Sequence, residues 1–151
     1  MVFIISTTKS CTPVTVQERT VTISAMEWKA NQKAIVKLAV PDSAYYSIFF
    51  VMRHTEKYAY NNMLAVLTIQ DTALKAKPFT TLQLTIPLTN NNGKWIGENM
   101  DDLYYTRVKI SQPVFFKPGM YKFILQHKMK DNPLSYVMNV GAAIRKTTPQ
   151  P

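Results

Sequence analysis

Thr80-Thr-Leu-Gln-Leu-Thr-Ile-Pro-Leu88 reads in period two: Leu82, Leu84, Ile86 and Leu88 fall on one face, Thr81, Gln83 and Thr85 on the other. Two later stretches repeat the pattern. Between Met120 and Met129, the residues Tyr121, Phe123, Leu125, His127 and Met129 share an inward face, with Lys122, Gln126 and Lys128 outward. Between Tyr136 and Arg145, the set Tyr136, Met138, Val140, Ala142 and Ile144 lies opposite Asn139, Gly141 and Arg145. A helix, at 3.6 residues per turn, scrambles such faces over nine or ten residues, so each stretch predicts a β-strand.

Further strands follow on either side. Ala34–Val40 and Tyr45–His54 are separated by the turn signal Pro41-Asp-Ser-Ala44. In the second, Tyr46, Ile48, Phe50 and Met52 form the core face, while Phe49 and Val51 make the other face partly apolar, as in a central strand. Met63–Asp71 has a helical alternative, with Asn61 or Asn62 as cap, but its β-branched Val66, Thr68 and Ile69 favour strand. Thr20–Ala25 and Asp102–Gln112 complete the set. Lys77-Pro78, Asn90-Asn-Asn-Gly93, Lys117-Pro-Gly119 and Asp131-Asn-Pro133 supply the reversals. With no ten-residue helical pattern between strands, the fold class is all-β: a two-sheet antiparallel β-sandwich, jelly-roll-like. The expected organisation is an N-terminal tether or signal remnant over 1–18, the sandwich over 19–146, and a frayed tail over 147–151.

The chain's 151 residues fit one domain, and a composition that is 46% apolar and 11% aromatic excludes a disordered chain. The net charge of +9 points toward an anionic neighbourhood, but the cations are spread singly with no run of five, as on a solvated basic face. Cys11 is the only cysteine, which excludes an internal disulfide and a cysteine-based metal site. No apolar run approaches the roughly 20 residues of a membrane helix. The first ten residues, Met-Val-Phe-Ile-Ile-Ser-Thr-Thr-Lys-Ser, are too short in apolar content for a complete signal peptide and read as the tail of one or as a first strand.

Catalytic chemistry is not legible. Nucleophilic catalysis needs a nucleophile, a base and an orienting group, and the two histidines are His54 and His127. His127 has inward parity and reads as a buried, hydrogen-bonded side chain; His54, following Arg53 at a strand end, reads as a surface residue. Two histidines without a third nitrogen or sulfur ligand make a poor zinc site. Glu98, Asp101 and Asp102 form the one acidic cluster, in a loop after Gly97. The expectation is a non-enzyme with no catalytic residues, no metal and no cofactor. For binding, Trp95, Tyr104 and Tyr105 are the candidate surface, a platform for stacking on a sugar ring or nucleobase. Trp95 also suits a plug at one end of the core, and that reading is the stronger. Arg107, Lys109 and Lys122 are expected to share an outer face without exposed aromatics, so no nucleic-acid partner is expected.

Several segments, taken in order, resemble a known family: Trp28-Lys29, Tyr45-Tyr-Ser-Ile-Phe-Phe-Val-Met-Arg53, Tyr58-Ala-Tyr-Asn-Asn-Met-Leu64, Asn92-Gly-Lys-Trp-Ile-Gly97, Pro113-Val-Phe-Phe-Lys-Pro-Gly-Met-Tyr121, Phe123-Ile-Leu-Gln-His-Lys-Met129 and Leu134-Ser-Tyr-Val-Met-Asn-Val-Gly141-Ala-Ala-Ile-Arg145. Over roughly residues 20–146 the chain resembles the gliding-motility-associated lipoprotein GldH of Bacteroidetes. The resemblance implies a cell-envelope lipoprotein, at the outer membrane or facing the periplasm, held to the membrane by a lipid anchor. It implies partners among other envelope lipoproteins and the components of gliding motility and type IX secretion, and no catalytic residues. Cys11 stands about as far ahead of Trp28 as the lipid-bearing cysteine does in the family, which makes it the candidate lipidation site. Ser10 suits the position before that cysteine, whereas Thr8 and charged Lys9 depart from the usual pattern. Either the true start lies upstream or Cys11 is a free thiol near a flexible end. A carbohydrate-binding module of the envelope is the alternative function.

Overall fold

The computed structural model describes residues 16–74 and 78–147. Twelve strands follow in order: β1 (Gln17–Thr22), β2 (Glu27–Trp28), β3 (Ala34–Val40), β4 (Ala44–Thr55), β5 (Asn62–Asp71), β6 (Thr80–Pro87), β7 (Glu98–Met100), β8 (Leu103–Lys109), β9 (Val114–Phe116), β10 (Gly119–His127), β11 (Leu134–Ser135) and β12 (Val137–Thr147). A single 3₁₀ turn, Ser24–Met26, interrupts them. Residues 1–15 and 148–151, which hold Cys11 and most of the expected tether and tail, lie outside the described residues, as does Lys77 of the expected Lys77-Pro78 turn.

One sheet has the order β1-β12-β4-β8-β7, with β9 on the same edge of β4 as β8; the other has the order β3-β10-β5-β6. All the pairings are antiparallel. Leaving out the short β2, β7, β9 and β11, the eight remaining strands form sheets in the order first–eighth–third–sixth and second–seventh–fourth–fifth. That is a jelly roll, an open sandwich of two interlocked Greek keys. The Pro41–Ser43 turn is therefore not a hairpin. It carries the chain from β3 in one sheet to β4 in the other, and Lys117-Pro118 does the same between β9 and β10.

The core is built from the alternating residues that the sequence exposes. Tyr46, Ile48, Phe50 and Met52 on β4 and Val140, Ala142 and Ile144 on β12 face Leu38, Tyr121, Phe123, Leu125, Met63, Leu67, Ile69 and Ile86, all buried. Three buried tyrosines satisfy their hydroxyls locally, since an unpaired buried hydroxyl is destabilising. Tyr46 donates to the Asp42 carbonyl at 3.0 Å, Tyr121 to that of Lys117 at 2.8 Å, and Tyr58 to that of Asn62 at 2.9 Å. The first two thereby pin the inter-sheet turns. Trp28 is fully buried, its Nε1–H donates to the Gln32 carbonyl at 2.7 Å, and its ring meets His127 edge-on at 5.1 Å.

The expected alternation fails at one place. Val137, not Tyr136 or Met138, points inward: Val137 is 0% exposed, Tyr136 is 37% exposed, and the β12–β4 register shifts between Val137 and Asn139. The cause is local. Tyr136 takes a left-handed φ of 67°, donates its N–H to the Met26 carbonyl and accepts the N–H of Thr55. Those bonds tie it to the 3₁₀ turn and to the end of β4, and the bulge resets the parity of everything before Asn139. Gly141 is required by close approach. A Cβ there would lie 1.9 Å from the Arg19 carbonyl oxygen, so only a residue without a side chain lets β1 lie against β12.

Candidate binding surface

His127 is buried as its parity predicts. Its Nε2 contacts the Trp28 carbonyl at 2.9 Å and its Nδ1 lies 3.3 Å from the Met129 N–H. A carbonyl only accepts, so Nε2 carries the proton and Nδ1 accepts; the ring is held as one neutral tautomer. Met129, expected inward, is half-buried at the rim of the core, where its sulfur accepts the Leu64 N–H at 3.2 Å.

His54 corrects the surface assignment. It is 0% exposed, because β4 runs on to Thr55 and keeps His54 on the inward parity of Phe50 and Met52. Its Nδ1–H donates to the Thr55 carbonyl at 2.8 Å, and its buried Nε2 has no partner. Burial pushes the imidazole pKa below its ordinary value, as it does for His127.

What covers His54 is the loop between β6 and β7. Backbone bonds from Asn90 N–H to the Lys94 carbonyl at 2.8 Å and from Ile96 N–H to the Leu88 carbonyl at 3.0 Å fold that loop back. Trp95 then packs 4.5 Å from His54, centroid to centroid, with Tyr104 stacked on His54 at 5.7 Å and Tyr58 at 5.4 Å. Trp95 and Tyr104 meet at 5.9 Å. Tyr105, the next residue on β8, points to the opposite face of the sheet, so Trp95, Tyr104 and Tyr105 do not form one surface. Asp101 and Asp102 are the exposed corner of the β7–β8 hairpin, Asp101 at a φ of 59°, with Glu98 exposed on β7. Among the described residues no group of three or more His, Cys, Asp or Glu is placed to hold a metal.

The outer face of the six-stranded sheet carries a second aromatic system. Arg53 lies over the Tyr105 ring at 5.5 Å, and Phe49 is flanked by Arg107 at 5.5 Å and Arg145 at 5.3 Å. The Tyr105 hydroxyl donates to Glu18 Oε1, which also lies 3.8 Å from Arg107 Nη1. Burial and the Glu18 carboxylate push the Tyr105 pKa up to about 12, so the phenol stays a donor. Beneath this layer Ser47, Val51, Gly141 and Ala143 are buried. Arg107 therefore has aromatic company after all, and Lys122, expected beside it, is on β10 in the other sheet, opposite Lys37. The signal for this face is in β4 itself, where Phe49 and Arg53 share the odd, outward parity; Arg107 and Arg145 join them only through strand register.

The sequence profile of the GldH lipoprotein family matches residues 15–144. This chain belongs to that family. The GldH lipoprotein name implies a lipid-anchored protein of the cell envelope, and the family is not a known enzyme family. No curated protein matches the chain significantly. Among solved structures it is similar to Eiger TNF from S. frugiperda, with 8% identity, TM-score 0.41 and coverage of 93% of this chain and 96% of that one. It is also similar to a family 35 carbohydrate binding module from Clostridium thermocellum, with 6% identity, TM-score 0.37 and coverage of 84% and 90%.

Proposed function

We propose that this GldH-family chain is a non-enzymatic envelope lipoprotein domain that works by contact with other envelope proteins, as part of gliding-motility or type IX secretion machinery. The observation that carries the reading is the family match over residues 15–144. The sandwich supports it: Trp95 and Tyr104 are engaged with His54 at the end of the core, and the most organised exposed layer is the arginine and aromatic face. Trp95 as a plug also favours protein contact over glycan stacking. Cys11 is the lipid-bearing residue in this reading, and two or three acyl chains on it hold the domain firmly at the outer membrane.

Two experiments test the reading. Expressed with its natural leader, the protein incorporates labelled palmitate, and Cys11→Ser abolishes the label; labelling that survives the substitution removes Cys11 from the anchor. Gentle crosslinking of the envelope fraction recovers other envelope lipoproteins with the wild-type chain. Recovery of none sinks the contact function.

A further inference from the structure

We infer that the outer face of the six-stranded sheet is the docking surface for the partner, and that the partner presents to it a segment bearing carboxylates. This deepens the contact function proposed above and rests on it. The chain has four arginines, and three of them, Arg53, Arg107 and Arg145, come from three different strands to this one face. Each guanidinium is stacked on an aromatic ring. A guanidinium held against a ring can still grip a carboxylate through two parallel bonds; Arg107 already lies 3.8 Å from Glu18, which shows the kind of group this face accepts. Over a buried floor these three arginines and Lys109, opposite Phe49, meet two carboxylates, Glu18 and Glu98, the latter opposite Tyr105, a local surplus of two positive charges, 4 − 2. An ordinary solvated face spreads its cations; this one gathers them and orders them before any ligand arrives.

The composition selects the class of partner. Arginine and aromatic residues are enriched in protein interfaces and lysine is depleted. The exposed aromatic pair Tyr45 and Phe115, 5.4 Å apart, extends the same face beyond Arg145, whereas Lys37 and Lys122 sit opposite each other on the other sheet. Nucleobases fit less well, because the two rings at the centre of the face, Phe49 and Tyr105, are already engaged by guanidinium groups.

The test uses a fluorescein-labelled peptide with glutamate at alternate positions, which places carboxylates on one side of an extended chain, and its glutamine counterpart as control. Binding is read by anisotropy on the folded domain. The wild type binds the glutamate peptide and not the glutamine one. The triple variant R53K/R107K/R145K keeps the charge and loses affinity roughly tenfold or more, because lysine cannot form the planar fork. A variant with the opposite-face changes K37Q/K122Q/K128Q removes three charges and loses far less. The inference is overturned if the arginine-to-lysine variant binds as well as wild type, if the opposite-face variant loses as much, or if phosphatidylglycerol vesicles bind the face and the peptide does not. Crosslinking separates the two levels. Partners recovered undiminished by the arginine-to-lysine variant end this inference and leave the contact function standing. No partner from wild type, with the peptide still bound through the arginines, ends the contact function and leaves the site.

Discussion

Acidification from pH 7.5 to 5.5 is expected to destabilise the domain by up to about 2.7 kcal/mol, through His54 and His127. Both are buried, and burial holds both below the ordinary histidine pKa. In the unfolded chain each titrates near 6.5, so across this window the unfolded state takes up protons that the folded state refuses. Stability is therefore highest above pH 6.5 and falls as the pH drops toward the folded-state values. A histidine that stays neutral in the fold contributes a loss of about 1.4 kcal/mol over these two pH units, and two of them set the ceiling. His127 has a structural reason to stay neutral, since its Nδ1 accepts the Met129 N–H and would lose that bond on protonation. His54 has its unpartnered Nε2 shut beneath Trp95. Carboxylates ordinarily titrate near pH 4, which leaves this window to the imidazoles. Urea unfolding at several pH values, followed by tryptophan fluorescence, measures the slope. His54→Phe is expected to halve it. Stability that is flat or rises on acidification refutes the reasoning, and an unchanged slope in His54→Phe shows that His54 protonates as readily in the fold as in the unfolded chain.

Three other outcomes follow from the packing. Gly141→Val drives a side chain into the Arg19 carbonyl and is expected to remove about 2–3 kcal/mol, with hydrogen exchange protection lost first at the β1 amides; uniform loss across the sheet would contradict the local cause. Phe123→Ala empties a fully buried site and is expected to lower the unfolding free energy by about 3–5 kcal/mol at an unchanged denaturant slope. Tyr105→Phe deletes the hydroxyl that holds Glu18; a loss of about 0.5–1.5 kcal/mol is expected in thermal or urea unfolding, and an increase would mean that the bond is strained rather than supportive.

The strands and their inward faces were legible because a period of two survives wherever a sheet has one buried side, as in Leu82 to Leu88 and Tyr121 to His127. What escaped has physical reasons. A one-residue bulge flips parity, and nothing in Ser135-Tyr-Val-Met138 announces that Tyr136 will be pulled toward Met26 and Thr55. His54 was misread because its neighbours Arg53, Glu56 and Lys57 suggest a strand end at the surface, although its parity with Met52 already placed it inward. Trp95 was readable as a plug from its loop, but its contact with His54 was not. The arginine face was the hardest to see, since Arg53, Arg107 and Arg145 meet only through pairings of β4 with β8 and β12. Local pattern fixes which side of a strand is wet; long-range register decides what gathers there.

The place of β12 between β1 and β4 has a consequence for biogenesis. The first strand of the sheet has no neighbour, and one edge of β4 stays bare, until the last long strand has been delivered. A growing or threading chain that ends before Val140 lacks the inner wall formed by Val140, Ala142 and Ile144, and contacts of such long sequence separation form slowly. This sheet thus stays open until β12 has emerged. For a lipid-anchored envelope protein, a sheet that closes only with β12 keeps the chain loose for as long as possible before it folds.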